Sequence, residues 1–266
     1  MESQPQQLIL VEKSSNGIAT ITLNRPKALN ALTREMMDQL AAVFRALEED
    51  AQVKVIILTG AGQSFCAGVD LTAASEVFKG NTKDPNDDPL VQMEKCSKPI
   101  IGAINGFAVT AGFELSLACD ILIADSKAKF VDTHCKFGIF PSWGLSQKLP
   151  RIIGVNRARE VSLMLRPIEA EVAERWGLVN RVVSPPDLLK AAIEIAESII
   201  KNHEGLVVEY KAVIRDGMKL SLADGLRLEK ERAHHYYANM KPEEFAAMQK
   251  FIAGRSANTR RTGSKL

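Results

Sequence analysis

Glu114 is a carboxylate in an otherwise apolar stretch, a setting that favours acid–base chemistry. Residues 105–115 follow an apolar run and lead into a predicted helix, which places Ala111 and Gly112 at the N-terminus of that helix. Unpaired amides and the positive end of the helix dipole meet there and favour an oxygen atom that gains negative charge. Burial would raise the pKa of Glu114 towards neutrality, as general acid–base catalysis requires. A glutamate in a first turn also commonly stabilises its own helix, and this segment alone favours that simpler role.

A second segment, residues 64–71, follows the apolar run that ends near Gly60. Ala67 and Gly68 add little bulk, so the amide of Val69 can point into a pocket and donate to a carbonyl oxygen. An isolated segment of this kind is more typical of a plain turn between a strand and a helix. The segment indicates a binding site only in combination with the segment that carries Glu114.

The elements that must position these segments are predicted from apolar periodicity. The predicted strands cover 8–11, 18–23, 53–58, 100–104 and 121–124, the first two as an antiparallel pair. An exposed loop is expected at 79–89. One predicted helix starts after Thr33 and ends near 49–50, and a second precedes the strand at 100–104. A third begins near Pro186, and three more cover 206–218, 221–239 and 242–253. Strands that alternate with helices predict an α/β fold, with a core of residues 1–200 and a C-terminal helical region of 201–266.

Composition excludes several classes of protein. The 266 residues are 46% hydrophobic and 25% charged with a net charge of +2, which is typical of a folded chain and predicts no nucleic-acid partner. The four cysteines lie far apart without a CxxC pair, so neither a metal site nor a disulfide framework is expected. Residues 99–124 are apolar and long enough to cross a membrane, but polar residues, glycines and a proline interrupt them. We therefore expect no membrane partner.

The last three residues of the sequence, Ser264, Lys265 and Leu266, match the tripeptide that the peroxisomal import receptor recognises. The first residues show neither a signal peptide nor an Arg-rich presequence. An accidental polar terminus is the simpler alternative. We expect the protein to bind the import receptor and to reside in the peroxisome.

Residues 64–71 and 105–115 together resemble the enoyl-CoA hydratase/isomerase family, also called the crotonase family, and the resemblance extends from about residue 18 to 254. The resemblance implies a spiral of repeated ββα units followed by C-terminal helices. It also implies an acyl-CoA thioester as substrate and a homotrimer or hexamer as the assembly. No cofactor is expected, because coenzyme A enters as part of the substrate.

The resemblance also assigns roles to residues. Val69 and Ala111 would supply two backbone amides for the oxygen of a thioester enolate, and Glu114 would be the first catalytic glutamate. The family often has a run of glycines where this chain has residues 110–112, a departure that would narrow the pocket without removing the donors. The residues that the resemblance places beside the substrate are Lys27, Ala28, Leu29, Ala67, Gly68, Asp70, Leu71 and Gly112.

The second glutamate of most hydratases in the family is missing here. Alignment of residues 130–141 with the family puts His134 at that position. Histidine transfers protons near neutral pH, so His134 would act with Glu114, but a hydrogen-bonded structural histidine is an equal alternative. Asp132 is displaced by two residues and is expected to point elsewhere.

The resemblance implies a hydratase that adds water across the 2,3 double bond of a 2-enoyl-CoA in peroxisomal fatty acid β-oxidation. An alternative is a double-bond isomerase of the same fold, in which Glu114 alone shuttles the proton. A further alternative is a non-catalytic RNA- or protein-binding module, which the retention of Glu114 and the lack of a basic patch disfavour. Phe140 and Trp143 would line the acyl pocket or simply pack.

Overall fold

The computed structural model describes residues 7–73, 77, 85–243, 245–246 and 249–250. The predicted targeting residues lie outside this range, as do parts of the loop predicted at 79–89 and of the helix predicted at 242–253. The chain divides into two compact units, residues 1–208 and 209–266. The predicted division after residue 200 stays a prediction.

The described residues form short strands and helices in alternation. The strands are β1 (Ile9–Lys13), β2 (Ile18–Leu23), β3 (Val55–Gly60), β4 (Ser64–Cys66), β5 (Ile100–Ile104), β6 (Phe107–Val109), β7 (Ile121–Asp125), β8 (Lys129–Val131), β9 (Ile168–Glu169) and β10 (Arg181–Val183). The α-helices are α1 (Arg34–Glu49), α2 (Pro89–Lys95), α3 (Ala111–Leu117), α4 (His134–Phe137), α5 (Leu145–Ile153), α6 (Val155–Met164), α7 (Ala170–Arg175), α8 (Leu188–Ile200), α9 (Glu204–Gly217) and α10 (Leu222–Ala238).

The order of elements in the first unit repeats as two strands followed by a helix. The repeats are β1-β2-α1, β3-β4-α2, β5-β6-α3 and β7-β8-α4. One sheet has the order β1-β2-β3-β5-β7-β10, and the other has the order β4-β6-β8-β9. The first strands of successive repeats, β3, β5 and β7, are therefore parallel neighbours in one sheet, and the second strands, β4, β6 and β8, are parallel neighbours in the other. This arrangement confirms the predicted α/β spiral of ββα units.

Apolar side chains cover both faces of the six-stranded sheet. Ile18 packs in a cluster with the buried residues of α8. Ala19, Ile21 and Leu23 pack on the other face, in the cluster that contains the buried side of α1. Residues of β2 therefore alternate between the two faces of the sheet, and the α1 side is the side on which β4, β6 and β8 contribute to the core.

Two local predictions are also confirmed. The first two strands pair antiparallel, with Ile9 opposite Leu23. Thr33 caps α1, because its side chain accepts a hydrogen bond from the amide of Met36 at 3.2 Å.

Two predicted boundaries are wrong for reasons of local hydrogen bonding. The third strand starts at Val55 rather than Val53, since the amide of Val53 turns back to the carbonyl oxygen of Asp50 at 3.0 Å. The loop predicted at 79–89 does not include Pro89, which is buried and begins α2. Asp88 starts this helix, because its side chain accepts from the amide of Leu90 at 2.9 Å.

The apolar stretch at 99–124 is divided among several elements. It forms β5, β6 and α3 and reaches into β7. Within the described residues, no helix has both the length and the apolar character needed to cross a membrane.

The start of α3 lies almost in contact with β4. A Cβ added at Gly112 would lie 2.3 Å from the carbonyl oxygen of Cys66, and a Cβ added at Gly68 would lie 3.0 Å from that of Val109. Gly68 also has a φ of +95°, a conformation that favours glycine. The two segments singled out from the sequence therefore pack backbone against backbone, and glycine makes this approach possible.

Gly112→Ala is expected to lower the free energy of unfolding by about 1–3 kcal/mol, because the new methyl group must push β4 and α3 apart. Urea denaturation followed by circular dichroism measures the change. Gly205→Ala is the matched control, since its added Cβ would lie 3.5 Å from the ring of His203, an ordinary contact. Equal unfolding midpoints for the two variants would contradict this account of the close approach.

Candidate active site

A cavity of about 610 Å³ lies in the first unit, beside the segments that follow β4, β6 and β8. Its walls bring together residues that are distant in sequence. Those predicted from the sequence that line it are Ala67, Gly68, Val69, Leu71, Ala111, Glu114 and His134.

The backbone amides of Val69 and Ala111 are oriented by different elements, a β-bridge for Val69 and a helix start for Ala111. Leu32 forms an isolated bridge to Val69, in which the amide of Leu32 donates to Gly68 at 2.8 Å and that of Asp70 donates to Leu32 at 2.9 Å. Amides alternate along extended chain, so the amide of Val69 faces away from Leu32. Ala111 is the first residue of α3, where an amide has no acceptor within its own helix. The pair can serve one oxygen atom in the cavity, and this role stays a prediction.

Thr110 holds the start of α3 in an unusual backbone conformation. Its φ is +49° and its ψ is −105°, in the region that favours glycine. The amide of Thr110 donates to Val131 at 2.8 Å, and its hydroxyl contacts that of Thr133 and accepts from the amide of Thr133 at 3.2 Å. These bonds hold Thr110 in this conformation, and they link α3 to the segment before His134.

Glu114 is 3% exposed and does not cap its own helix. Its Oε1 atom accepts hydrogen bonds from the amides of Trp143 at 3.0 Å and Leu145 at 3.2 Å. Leu145 begins α5 directly after Gly144, whose φ is +102°. The carboxylate therefore lies at the N-terminus of a second helix, which leaves its Oε2 atom directed at the group opposite.

That group is His134, which is 5% exposed. Its Nε2 atom lies 3.8 Å from Oε2 of Glu114, and its Nδ1 atom lies 2.7 Å from Oδ1 of Asp132. The same carboxylate oxygen accepts from the backbone amide of His134 at 3.0 Å. The geometry is therefore compatible with both alternatives for His134, a hydrogen-bonded structural histidine and a partner of Glu114, since the ring is hydrogen-bonded on one side and faces Glu114 on the other.

The three groups shift one another's proton affinity. Burial raises the pKa of Glu114 above its usual range, and the amides of Leu145 and Trp143 and the charge of His134 offset this only in part. Burial opposes protonation of His134, but the hydrogen bond and charge of Asp132, together with the charge of Glu114, raise the pKa of the ring overall. The site therefore suits a carboxylate base that faces an imidazolium acid.

Five predicted substrate-binding residues do not line the cavity: Lys27, Ala28, Leu29, Asp70 and Gly112. The carbonyl oxygen of Leu29 accepts from the amide of Ala67 at 3.0 Å, so this segment lies next to the cavity wall. The carboxylate of Asp70 pairs with Arg25 at 3.1 Å and accepts from Thr72. A role for these residues in binding substrate stays a prediction.

The sequence reasoning missed the amides of Trp143 and Leu145, although a signal was present. Gly144 precedes the apolar positions Leu145, Leu149 and Ile153, a pattern typical of a helix start. Phe140 and Trp143 both line the cavity. Phe140 is 88% exposed and does not pack in the core of the described residues, and its role stays a prediction.

Comparison with known proteins gives one consistent result. The family model described as enoyl-CoA hydratase/isomerase matches residues 13–259. An Arabidopsis thaliana protein named probable enoyl-CoA hydratase 1, peroxisomal, is 62% identical over 261 residues that cover 98% of each chain. The short-chain-enoyl-CoA hydratase of Clostridium acetobutylicum is 37% identical over 230 residues, which cover 84% of this chain and 87% of the other.

The structural comparison agrees with the sequence comparison. The crystal structure of enoyl-CoA hydratase from Bacillus anthracis matches with a TM-score of 0.85 at 35% identity and covers 93% of this chain and 97% of the other. The match to the family model spans every residue of the site and all of the ββα repeats except most of β1. The chain belongs to the enoyl-CoA hydratase/isomerase family.

Proposed function

We propose that this protein is an enoyl-CoA hydratase that adds water across the 2,3 double bond of a 2-enoyl-CoA thioester. The observation that carries the proposal is the separation of 3.8 Å between Oε2 of Glu114 and Nε2 of His134 at the cavity wall. Hydration needs a base for water and an acid for C2, and this pair supplies both. The names of the relatives, at 62% and 37% identity, support the same activity.

The separation suits a bound water molecule. A distance of 3.8 Å is too long for a direct hydrogen bond between the two side chains. A water molecule at hydrogen-bond distance from both atoms would lie beside the line that joins them, on the side of the cavity. This water molecule, the nucleophile, then contacts both of the groups that exchange protons in the reaction.

The steps of the reaction balance without a cofactor. The thioester oxygen accepts from the amides of Val69 and Ala111, which stabilise its developing negative charge by about 3 kcal/mol for each donor. Glu114 accepts a proton from water as the water oxygen bonds to C3, and Nε2 of His134 gives a proton to C2. The proton on Glu114 then passes to His134, which restores both groups, and coenzyme A takes part only as a portion of the substrate.

Glu114→Gln is expected to lower kcat for hydration by about 10²–10⁴-fold. The amide oxygen of glutamine still accepts from Trp143 and Leu145, so the cavity is retained while the base is lost. The fall in absorbance of the conjugated thioester measures the rate. Glu171→Gln is the matched control, because Glu171 is an exposed glutamate in the first turn of α7 and should not affect turnover.

Parallel assays of 2-enoyl-CoA and 3-enoyl-CoA substrates separate the alternatives. Hydration of the 2-enoyl thioester, lost in Glu114→Gln, supports the proposal. Turnover confined to the 3-enoyl thioester would overturn it in favour of an isomerase with Glu114 as the sole proton shuttle. An absence of turnover with every thioester would favour a non-catalytic module.

The rate of hydration should have a bell-shaped dependence on pH, because the active form has Glu114 ionised and His134 protonated. The rate should fall as the pH drops through the pKa of Glu114, which burial raises above its usual 4.5. It should also fall as the pH rises through the pKa of His134, which Asp132 and Glu114 raise, against burial, above its usual 6.5. The two apparent values belong to the interacting pair.

His134→Gln is expected to lower kcat by about 10²-fold and to remove the basic limb of this profile, since glutamine cannot exchange a proton near neutral pH. Steady-state rates across the pH range test both effects. His234→Ala, which removes an exposed histidine of α10, is the matched control. A basic limb that persists in His134→Gln would identify another group as the acid.

We infer that the protein is imported into peroxisomes. The Arabidopsis thaliana relative is named peroxisomal, and the sequence carries Ser264, Lys265 and Leu266 as its last residues. Deletion of Leu266 from a fusion that bears a fluorescent protein at its N-terminus should leave the fusion in the cytosol. Gly263→Ala should not alter import. Peroxisomal fluorescence that survives the deletion would contradict the role of the tripeptide.

A further inference from the structure

Asp132 is a buried carboxylate that takes no direct part in the proposed reaction. It directly follows β8 and is 2% exposed, and this described residue is not among those that line the cavity. Its Oδ1 atom contacts His134 twice, at 3.0 Å from the backbone amide and at 2.7 Å from Nδ1. Against burial, the hydrogen bonds from His134 and a contribution from Ser162, on α6, lower the pKa of this carboxylate. The two contacts with His134 hold Asp132 behind the ring.

The hydrogen bond between Asp132 and Nδ1 determines the direction and the protonation of the other ring nitrogen, Nε2. An ionised carboxylate only accepts hydrogen bonds, so Nδ1 must carry a proton. The hydrogen bond then prevents rotation of the ring and directs Nε2 across 3.8 Å towards Glu114. With Nδ1 protonated, a proton on Nε2 makes the ring an imidazolium, which the negative charge of Asp132 favours.

We propose that Asp132 is a positioning residue of this site: it fixes the ring of His134 and keeps Nδ1 protonated, so that Nε2 releases and regains a proton at the cavity wall. The inference rests on the proposed hydration, since it assigns a task to the proton on Nε2. Among the residues that the structure describes, the charged groups that shift the pKa of His134, against burial, are Asp132 and, from α3, Glu114. His134, held by Asp132, thus supplies the proton that the missing second glutamate would otherwise give.

A purely structural role for Asp132 makes a different prediction. The bond from the backbone amide of His134 to Asp132 also holds the turn that precedes the short helix α4, whose N-cap is Thr133. Asp132→Asn keeps an oxygen that can accept this bond and removes only the charge. A role limited to this turn would therefore leave the properties of the ring unchanged in this variant.

The test is the pKa of His134, followed by nitrogen NMR of the ring in the full-length protein. The chain has four histidines, and the signals of His134 are those absent from His134→Gln. Asp132→Asn is expected to lower the pKa of His134 by about 1 to 3 pH units, because a neutral amide no longer stabilises the imidazolium. The basic limb of the hydration profile should move down by the same interval, and kcat near pH 8 should fall about tenfold or more with KM unchanged.

Asp125→Asn is the matched control. Asp125 is also buried, at the end of β7, and accepts from the backbone amides of Lys127 at 2.8 Å and Gly106 at 3.3 Å. This variant should leave the pKa of His134 at the wild-type value. If Asp132→Asn does not fold, Asp132→Ser supplies the same comparison, since serine also accepts hydrogen bonds at helix starts.

The two proposals fail in different ways. An unchanged pKa and ring proton arrangement for His134 in Asp132→Asn would overturn the role of Asp132, whatever the activity. A lowered pKa in a protein that hydrates no thioester would support the role of Asp132 and overturn the proposed function. A lowered pKa with a matching shift of the basic limb supports both.

Discussion

The site depends on mutual compensation among three buried ionisable groups, Asp132, His134 and Glu114. A carboxylate buried alone costs on the order of several kcal/mol, so a fold that buries two near each other needs positive charge between them. The raised pKa of His134 favours such a charge, and the amides of Trp143 and Leu145 stabilise the outer oxygen of Glu114. The contacts that offset the cost of burying these three groups are therefore the same contacts that shift their pKa values. Stability and chemistry at this point share one set of hydrogen bonds.

The ββα repeat explains why these groups meet. Val69 follows β4, Ala111 and Glu114 follow β6, and Asp132 and His134 follow β8. These three strands are parallel neighbours, so their carboxyl ends lie along one edge of the four-stranded sheet. Crevices at the carboxyl ends of parallel strands are common sites for ligands. The second, third and fourth repeats thus each place one segment of the candidate site along this edge, which brings together residues far apart in sequence.

Local features of this arrangement could be predicted from the sequence, and long-range ones could not. The cap at Thr33 and the helix start at Ala111 depend on neighbours within a few residues, where periodicity and residue type carry information. The partners of Glu114 lie 29 and 31 residues further along the chain and depend on the turn at Gly144. Alignment with the family placed His134 in the site, but the direction of its ring depends on Asp132, a contact that no periodic pattern encodes. Tertiary packing decides such contacts.

Thr110 shows how the site keeps a backbone donor without glycine. A threonine at a φ of +49° costs on the order of 1–3 kcal/mol, a strain that persists only where surrounding bonds hold it. Here the bonds from Thr110 to Val131 and Thr133 supply that restraint. Because Thr133 immediately precedes His134, a shift of the histidine segment would also release the residue that sets the amide of Ala111. Glycine would adopt the same φ without this link, so threonine couples the backbone amide proposed to receive the thioester oxygen to the ring proposed to supply the proton.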